Sequence, residues 1–249
     1  MKRRESRSGI YFLPNLFTTA SLFAAFYSIV ASMHSQYELS IIAIFVGMIA
    51  DGLDGRIARM TNTETAFGAE YDSLADMVTF GMAPALLFYS WTLNQFGKVG
   101  WLIAFIYTAA VALRLARFNT QLETADKRYF QGLSSTLGAA LMASFAWVCY
   151  QSHLPKSLIA VAAAGLTLMT AILMVSNIRY NSFKEVDLKG KIPFLHVLVI
   201  VVLFVAIAAD PSLVLFTASF IYAASGPTQT LFAIQRVRRQ RKVRRKEDD

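Results

Sequence analysis

The sequence predicts an all-α fold: a polytopic membrane helical bundle of about eight transmembrane helices, a six-helix core followed by two more. Three observations predict it. The chain of 249 residues is 55% hydrophobic and only 16% charged, where a soluble protein is about one-quarter charged, and its mean hydropathy is +0.46. The apolar residues fall in runs of about 18 to 22, the length that spans a bilayer at 1.5 Å rise per residue. Short polar links separate the runs, and the basic residues gather in alternate links.

The spans follow in order. The first covers 14–33 and opens on Pro14-Asn15, an ordinary helix start. Lys2, Arg3, Arg4 and Arg7 precede it as in a secretory signal, but the apolar part is long and lacks a small-x-small cleavage site, so it reads as an uncleaved span. The second and third cover 38–60 and 68–90. Gly81 and Pro84 should bend or break the third and open a cavity toward the membrane. The remaining spans are 99–118, 134–151, 157–176, 192–209 and 212–233. The single cysteine, Cys149, excludes an internal disulfide and reads as a small core residue. Pro193, Asp210 and Pro227 shape the last two spans, which show no chemistry. His34, His153 and His196 are isolated and receive no role. The domain organisation is a basic N-terminus (1–13), a core (14–191), two additional helices (192–233) and a basic tail (234–249).

Charge fixes the orientation. Of the 24 lysines and arginines, 22 fall in the N-terminus, 56–66, 114–131, 177–191 and the C-terminal tail, leaving Lys98 and Lys156 for the other links. The positive-inside rule then predicts an inner-membrane protein with both termini cytoplasmic. The net charge of +8 does not point to nucleic acid. The run from Arg236 to Lys246 directly follows an apolar helix and reads as an anchor on anionic headgroups of the membrane lipids.

Within segments otherwise fit for lipid lie Asp51, Asp54, Asp72 and Asp76. An ionised carboxylate at membrane depth is costly unless paired or bound to a cation. Asp51 and Asp54 are three positions apart and Asp72 and Asp76 four, so each pair projects from one side of a helix. A hairpin through 60–67 brings the pairs together near the cytoplasmic face. Mutual repulsion then calls for positive charge, and hard oxygen donors select Mg²⁺, Mn²⁺ or Ca²⁺ over zinc. Gly52, Gly55 and Ala58 strip bulk from the same helix, and Gly68 opens the next; Gly52 taken alone reads as a helix-packing glycine. Arg59 can grip a phosphate through its planar fork.

The pattern Asp51-x2-Asp54-Gly55-x2-Ala58-Arg59-x8-Gly68-x3-Asp72-x3-Asp76 resembles the complete motif of the CDP-alcohol phosphotransferases, with no departure at a fixed position. The resemblance implies a membrane-embedded, metal-dependent enzyme that transfers a phosphatidyl-type group from a CDP-linked lipid to an alcohol and releases CMP. It implies that Asp51, Asp54, Asp72 and Asp76 hold two metal ions, Mg²⁺ or Mn²⁺, and that Asp76 is also the general base. Asn15, Gly55, Arg59 and Thr65 would contact the CDP-lipid, CDP-diacylglycerol.

Three further segments, Arg114-Leu-Ala-Arg117-Phe118-Asn119, Phe130-Gln-Gly132-Leu133-Ser134 and Met174 to Lys184, are similar to the phosphatidylserine synthase branch of that family. They imply serine as acceptor. A serine carboxylate needs a cation, and Arg114 and Arg117 lie one turn apart; each serves equally as a headgroup anchor. Ser134 departs from the proline the branch often carries, which implies a backbone adjustment there. Glycerol 3-phosphate and inositol or inositol phosphate stand as alternative acceptors, since Lys127, Arg128, Arg179 and Lys184 add basic charge. A cation transporter is the alternative from another class, although the acids sit at one face and no inverted repeat is visible. The resemblance allows for a homodimer, but no segment announces an interface.

Overall fold

The structure, a computed structural model, describes residues 12–61, 63, 65–121, 129–152, 154–181, 202 and 204–247. The elements are α1 (Phe12–Met33), α2 (Tyr37–Thr61), α3 (Ala66–Asp76), a π-helical turn (Met77–Met82), α4 (Ala83–Trp91), a 3₁₀ turn (Leu93–Phe96), α5 (Lys98–Gln121), β1 (Tyr129–Gln131), α6 (Ser135–Gln151), α7 (Lys156–Val175), β2 (Arg179–Asn181) and α8 (Pro211–Glu247). Residues 204–209 are helical as well.

Three described helices, Pro14–Met33, Lys98–Thr120 and Lys156–Val175, are long and apolar enough to cross a membrane. The others depart from that standard for local reasons. α2 has 25 residues but carries Glu38, Asp51, Asp54, Arg56 and Arg59. α6 has 17 residues, the short end of the spanning range. The third predicted span is interrupted by the π turn, and most of the predicted span 192–209 lies outside the described residues. The count of eight therefore remains a reading of the sequence. Large apolar side chains such as Phe23, Phe26, Ile49, Phe105 and Ile172 are exposed. An apolar surface of this kind needs a cover in water but none in lipid.

Small and hydroxylic residues hold the first helices together, as expected where lipid removes the hydrophobic drive between helices. A Cβ on Gly47 would lie 3.0 Å from Thr79 Cγ2 and 3.5 Å from the Ser21 carbonyl, so glycine lets α1, α2 and the π turn approach. The Ser21 and Thr79 hydroxyls are 3.2 Å apart and those of Ser28 and Ser40 2.9 Å apart.

The expected bend at Gly81 and Pro84 takes the form of the π turn, so the chain deviates without leaving the helix. Pro84 has no N–H for the Phe80 carbonyl, its α-helical partner position. The buried Tyr107 hydroxyl donates to that carbonyl at 2.9 Å. Gly81 leaves room for α5: a Cβ there would sit 3.3 Å from Val111 Cγ1 and from Met77 Sδ.

One small feature is added to the helical bundle. β1 and β2 pair antiparallel, with Tyr129 opposite Asn181, Phe130 opposite Tyr180 and Gln131 opposite Arg179. Three-residue strands are too short to show an alternating pattern. The clasp continues through Gly132 N–H to the Ile178 carbonyl (2.8 Å) and Leu133 N–H to the Leu173 carbonyl (3.0 Å). Gly132 has φ +76, and a Cβ would fall 2.3 Å from the Met174 carbonyl oxygen, so only glycine fits. Ser134 then caps α6, its Oγ accepting from Leu137 N–H at 3.2 Å. Its backbone, at φ −65 and ψ 145, is one that proline also adopts, so the expected backbone adjustment is not found at Ser134.

α8 runs without interruption through Pro227 and the basic tail to Glu247. Asp210 caps it, accepting from Leu213 N–H at 3.0 Å and from the Ser212 hydroxyl at 2.8 Å. Pro211 fills the first helical position, which needs no N–H. The Leu213 bond, followed by that from Ser212, holds the Asp210 carboxyl below its usual range. Ser212 also donates to Gln151 Oε1 at 3.0 Å, tying α8 to α6.

Candidate functional site

The site forms where α2 ends and α3 begins. Thr65 caps α3, its Oγ1 accepting from Gly68 N–H at 2.9 Å, and this short turn folds α3 back beside the last turns of α2. Asp51, Asp72 and Asp76 thereby meet: one oxygen from each lies within 4.8 Å of the others. All three are partly buried.

Asp54 is set apart from this trio. It is 5% exposed, and its Oδ2 accepts from the Thr18 hydroxyl of α1 at 2.8 Å. The expectation of four acids in one cluster is thus refined to three and one. Three helical positions turn through about 300°, so Asp51 and Asp54 diverge by about 60°. Asp54 faces α1, and Asp51 faces α3. Asp72 joins the two groups, because it belongs to the trio and lines the same cavity as Asp54.

That cavity has a volume of about 250 Å³ and is lined by Asn15, Gly55, Arg59, Thr65 and Gly68 together with Asp54 and Asp72. Every residue predicted to contact the CDP-lipid therefore opens onto one space. Gly55 keeps it open, since the nearest atom to an added Cβ would be Arg59 Nη2 at 3.9 Å. Gly68 allows Thr65 and Asn15 to converge; a Cβ there would sit 3.0 Å from Thr65 Oγ1 and 3.4 Å from Asn15 Oδ1. Gly52 corrects the packing reading: it is exposed, with nothing among the described residues within 4 Å of an added Cβ. Pro14 lines the cavity beside Asn15, and Thr18, Thr63 and Ala69, which were not singled out from sequence, line it too. Thr18 was within reach, since it follows Asn15 by three and shares its helical side.

The trio offers oxygen donors only. Asp72 Oδ1 is buried with no hydrogen-bond partner among the described residues, and three carboxylates at this spacing repel unless a proton or cation intervenes. Both observations fit a hard divalent cation.

The two arginines differ. Arg114 is part-buried and donates through Nη1 to Ser135 Oγ at 3.2 Å. Its Nε is buried without a partner among the described residues, and Asp76 acts on it electrostatically. Arg117 is already engaged: Nη2 donates to Asn177 Oδ1 at 2.7 Å and Nη1 to the Val175 carbonyl at 3.4 Å, at the C-terminal end of α7. Asn119 Nδ2 donates to Ser73 Oγ at 3.0 Å, tying α5 to α3 between Asp72 and Asp76.

Residues 11–175 match the CDP-alcohol phosphatidyltransferase family. The chain is 36% identical over 196 residues to a CDP-diacylglycerol–serine O-phosphatidyltransferase of Helicobacter pylori strain J99, covering 79% of this chain and 83% of that one. It is 30% identical over 174 residues to the protein of the same description from Bacillus subtilis, with 70% and 92% covered. The Mycobacterium leprae protein so described is 39% identical over 132 residues, covering 51% and 44%.

Proposed function

This chain belongs to the CDP-alcohol phosphatidyltransferase family, and we propose that it transfers the phosphatidyl group of CDP-diacylglycerol to the hydroxyl of serine, giving phosphatidylserine and CMP. The observation that carries this reading is the convergence of the acidic trio, the cavity and Arg114 on one end of α2, α3 and α5. An enzyme family replaces the cation-transporter alternative.

In this reading Asp51, Asp54, Asp72 and Asp76 would hold the divalent cations, two in number as the resemblance implies, and Mg²⁺ or Mn²⁺ by donor type. Such ions, when bound, neutralise the diphosphate and the departing CMP. The cytidine diphosphate end lies against Asn15, Gly55, Arg59 and Thr65. A cavity of about 250 Å³ is smaller than a typical drug-sized pocket and takes this polar end alone, leaving the acyl chains to the exposed apolar faces. Asp76 accepts the proton of the serine hydroxyl. The serine oxygen forms a bond to the phosphorus bearing the lipid as that phosphorus's bond to CMP breaks. Arg114 receives the serine carboxylate, using the donor that the fold leaves unmet. The charge pattern supports a site at the cytoplasmic face of the inner membrane, where serine and CMP are soluble.

Two experiments test this. Purified protein given CDP-diacylglycerol with labelled serine, glycerol 3-phosphate or inositol in separate reactions should release CMP and label lipid with serine alone. Lipid labelled by one of the others instead refutes the acceptor assignment. The Arg114→Gln variant should raise the serine KM by about 10- to 100-fold, as loss of a charge-assisted pair predicts, with the KM for CDP-diacylglycerol little changed. An unchanged serine KM would return Arg114 to a structural role.

A further inference from the structure

The last helix carries an unusual notch. Pro227 lies inside α8 and cannot give an N–H to the Ala223 carbonyl, its α-helical partner position. The Tyr180 hydroxyl of β2 donates to that carbonyl instead, at 3.0 Å. Tyr180 is 1% exposed, and its ring stacks on Tyr222 with centroids 5.6 Å apart and planes at 20°. The ring fits because residue 226 is glycine: a Cβ there would lie 2.3 Å from Tyr180 Cζ. Gly226 makes the space, Pro227 frees the carbonyl, and Tyr180 fills both. The same device appears at Tyr107, Phe80 and Pro84 in the third predicted span, where it supports the turn that follows Asp76.

The Tyr180 lock is placed so that it bears on the arginines. Three residues before Tyr180, Asn177 accepts from Arg117. Ile178 receives the Gly132 N–H, and three residues after Gly132 is Ser135, which accepts from Arg114. The β1–β2 clasp thus connects both arginines to one anchoring point, and that point is on α8.

We propose that Tyr180 is a positioning residue for the acceptor half of the site, holding Arg114 and Arg117 in place by locking the β1–β2 clasp into the Gly226–Pro227 notch of α8. The proposal rests on the acceptor-binding reading of Arg114 given above. It gives the C-terminal helix, which among the described residues contributes none to the acidic trio or the cavity, a part in acceptor recognition.

The test uses the full-length protein in detergent or nanodiscs and the labelled alcohol that the parent accepts; a parent that makes no phosphatidylserine refutes the serine reading and leaves this comparison to be made with the other alcohol. Tyr180→Phe removes one oxygen and leaves the Ala223 carbonyl unpaired. It should raise the acceptor KM about five- to tenfold, in line with the cost of an unsatisfied buried acceptor, while kcat and the KM for CDP-diacylglycerol stay within about twofold of the parent. Pro227→Ala restores a backbone donor for the same carbonyl but not the tie between clasp and helix, so the double variant Tyr180→Phe/Pro227→Ala should regain stability while keeping the raised acceptor KM, and it can be assayed even if the single variant fails to accumulate. A parental acceptor KM in the double variant would overturn the proposal, as would a lower melting temperature with an unchanged acceptor KM in the single one.

Discussion

Asp76→Asn should lower kcat by about 10²- to 10⁴-fold, the range that a positioned general base contributes, while CDP-diacylglycerol still binds. Asp76 ends α3 immediately before the π turn. It shares the acidic trio with Asp51 and Asp72 and lies within electrostatic reach of Arg114, so it links the trio to the arginine proposed to take the acceptor. The two duties proposed for it, as ligand and as base, can be separated. Asparagine keeps one oxygen that can coordinate but has no basic oxygen to take a proton. Raising the Mg²⁺ or Mn²⁺ concentration should therefore restore little of the rate of Asp76→Asn, whereas it should restore part of the rate of Asp51→Asn, which loses only ligand charge. The measurement is CMP release at saturating lipid and serine over a metal titration. A near-parental rate for Asp76→Asn would remove the base assignment.

The four acids are legible in the sequence because lipid makes them costly and their spacing is helical. The same spacing could not show that Asp54 turns to Thr18, since that depends on where α1 packs, and α1 is placed by Gly47, Ser21 and Thr79 rather than by periodicity. Pro84 and Gly81 announced a distortion, but not that Tyr107, 27 residues beyond Phe80 in the chain, would supply a donor to the Phe80 carbonyl. The clasp of β1 and β2 was illegible for a similar reason. Its strands are three residues each and are fixed by Gly132, Ser134 and the Tyr180 notch. Apolar length predicted where helices run, and side chains that cross between helices decided how they meet.

Those crossings bear on the second large effect, removal of divalent metal. Chelation should bring phosphatidylserine formation to background, and Mg²⁺ or Mn²⁺ should restore it where Zn²⁺ does not, because the donors are carboxylates with no histidine or cysteine among them. A second readout does not depend on turnover. Bringing Asp51, Asp72 and Asp76 together costs repulsion that a bound cation relieves, so a ligand that binds only the folded protein stabilises it by about 2.7 kcal/mol at 100 times its Kd. For a chain of this size that is a rise in Tm of about 5 to 10 °C. Asp72→Asn should abolish most of the rise, since it removes a member of the trio whose Oδ1 has no protein partner. Asp54→Asn should lose less, because its Oδ2 is already held by Thr18 and an amide oxygen keeps that bond. Equal losses from the two variants would show that the four acids act as one cluster. Full activity in chelator with no cation-dependent rise in Tm would mean that the trio is relieved by protons instead, and the metal assignment would fall with it.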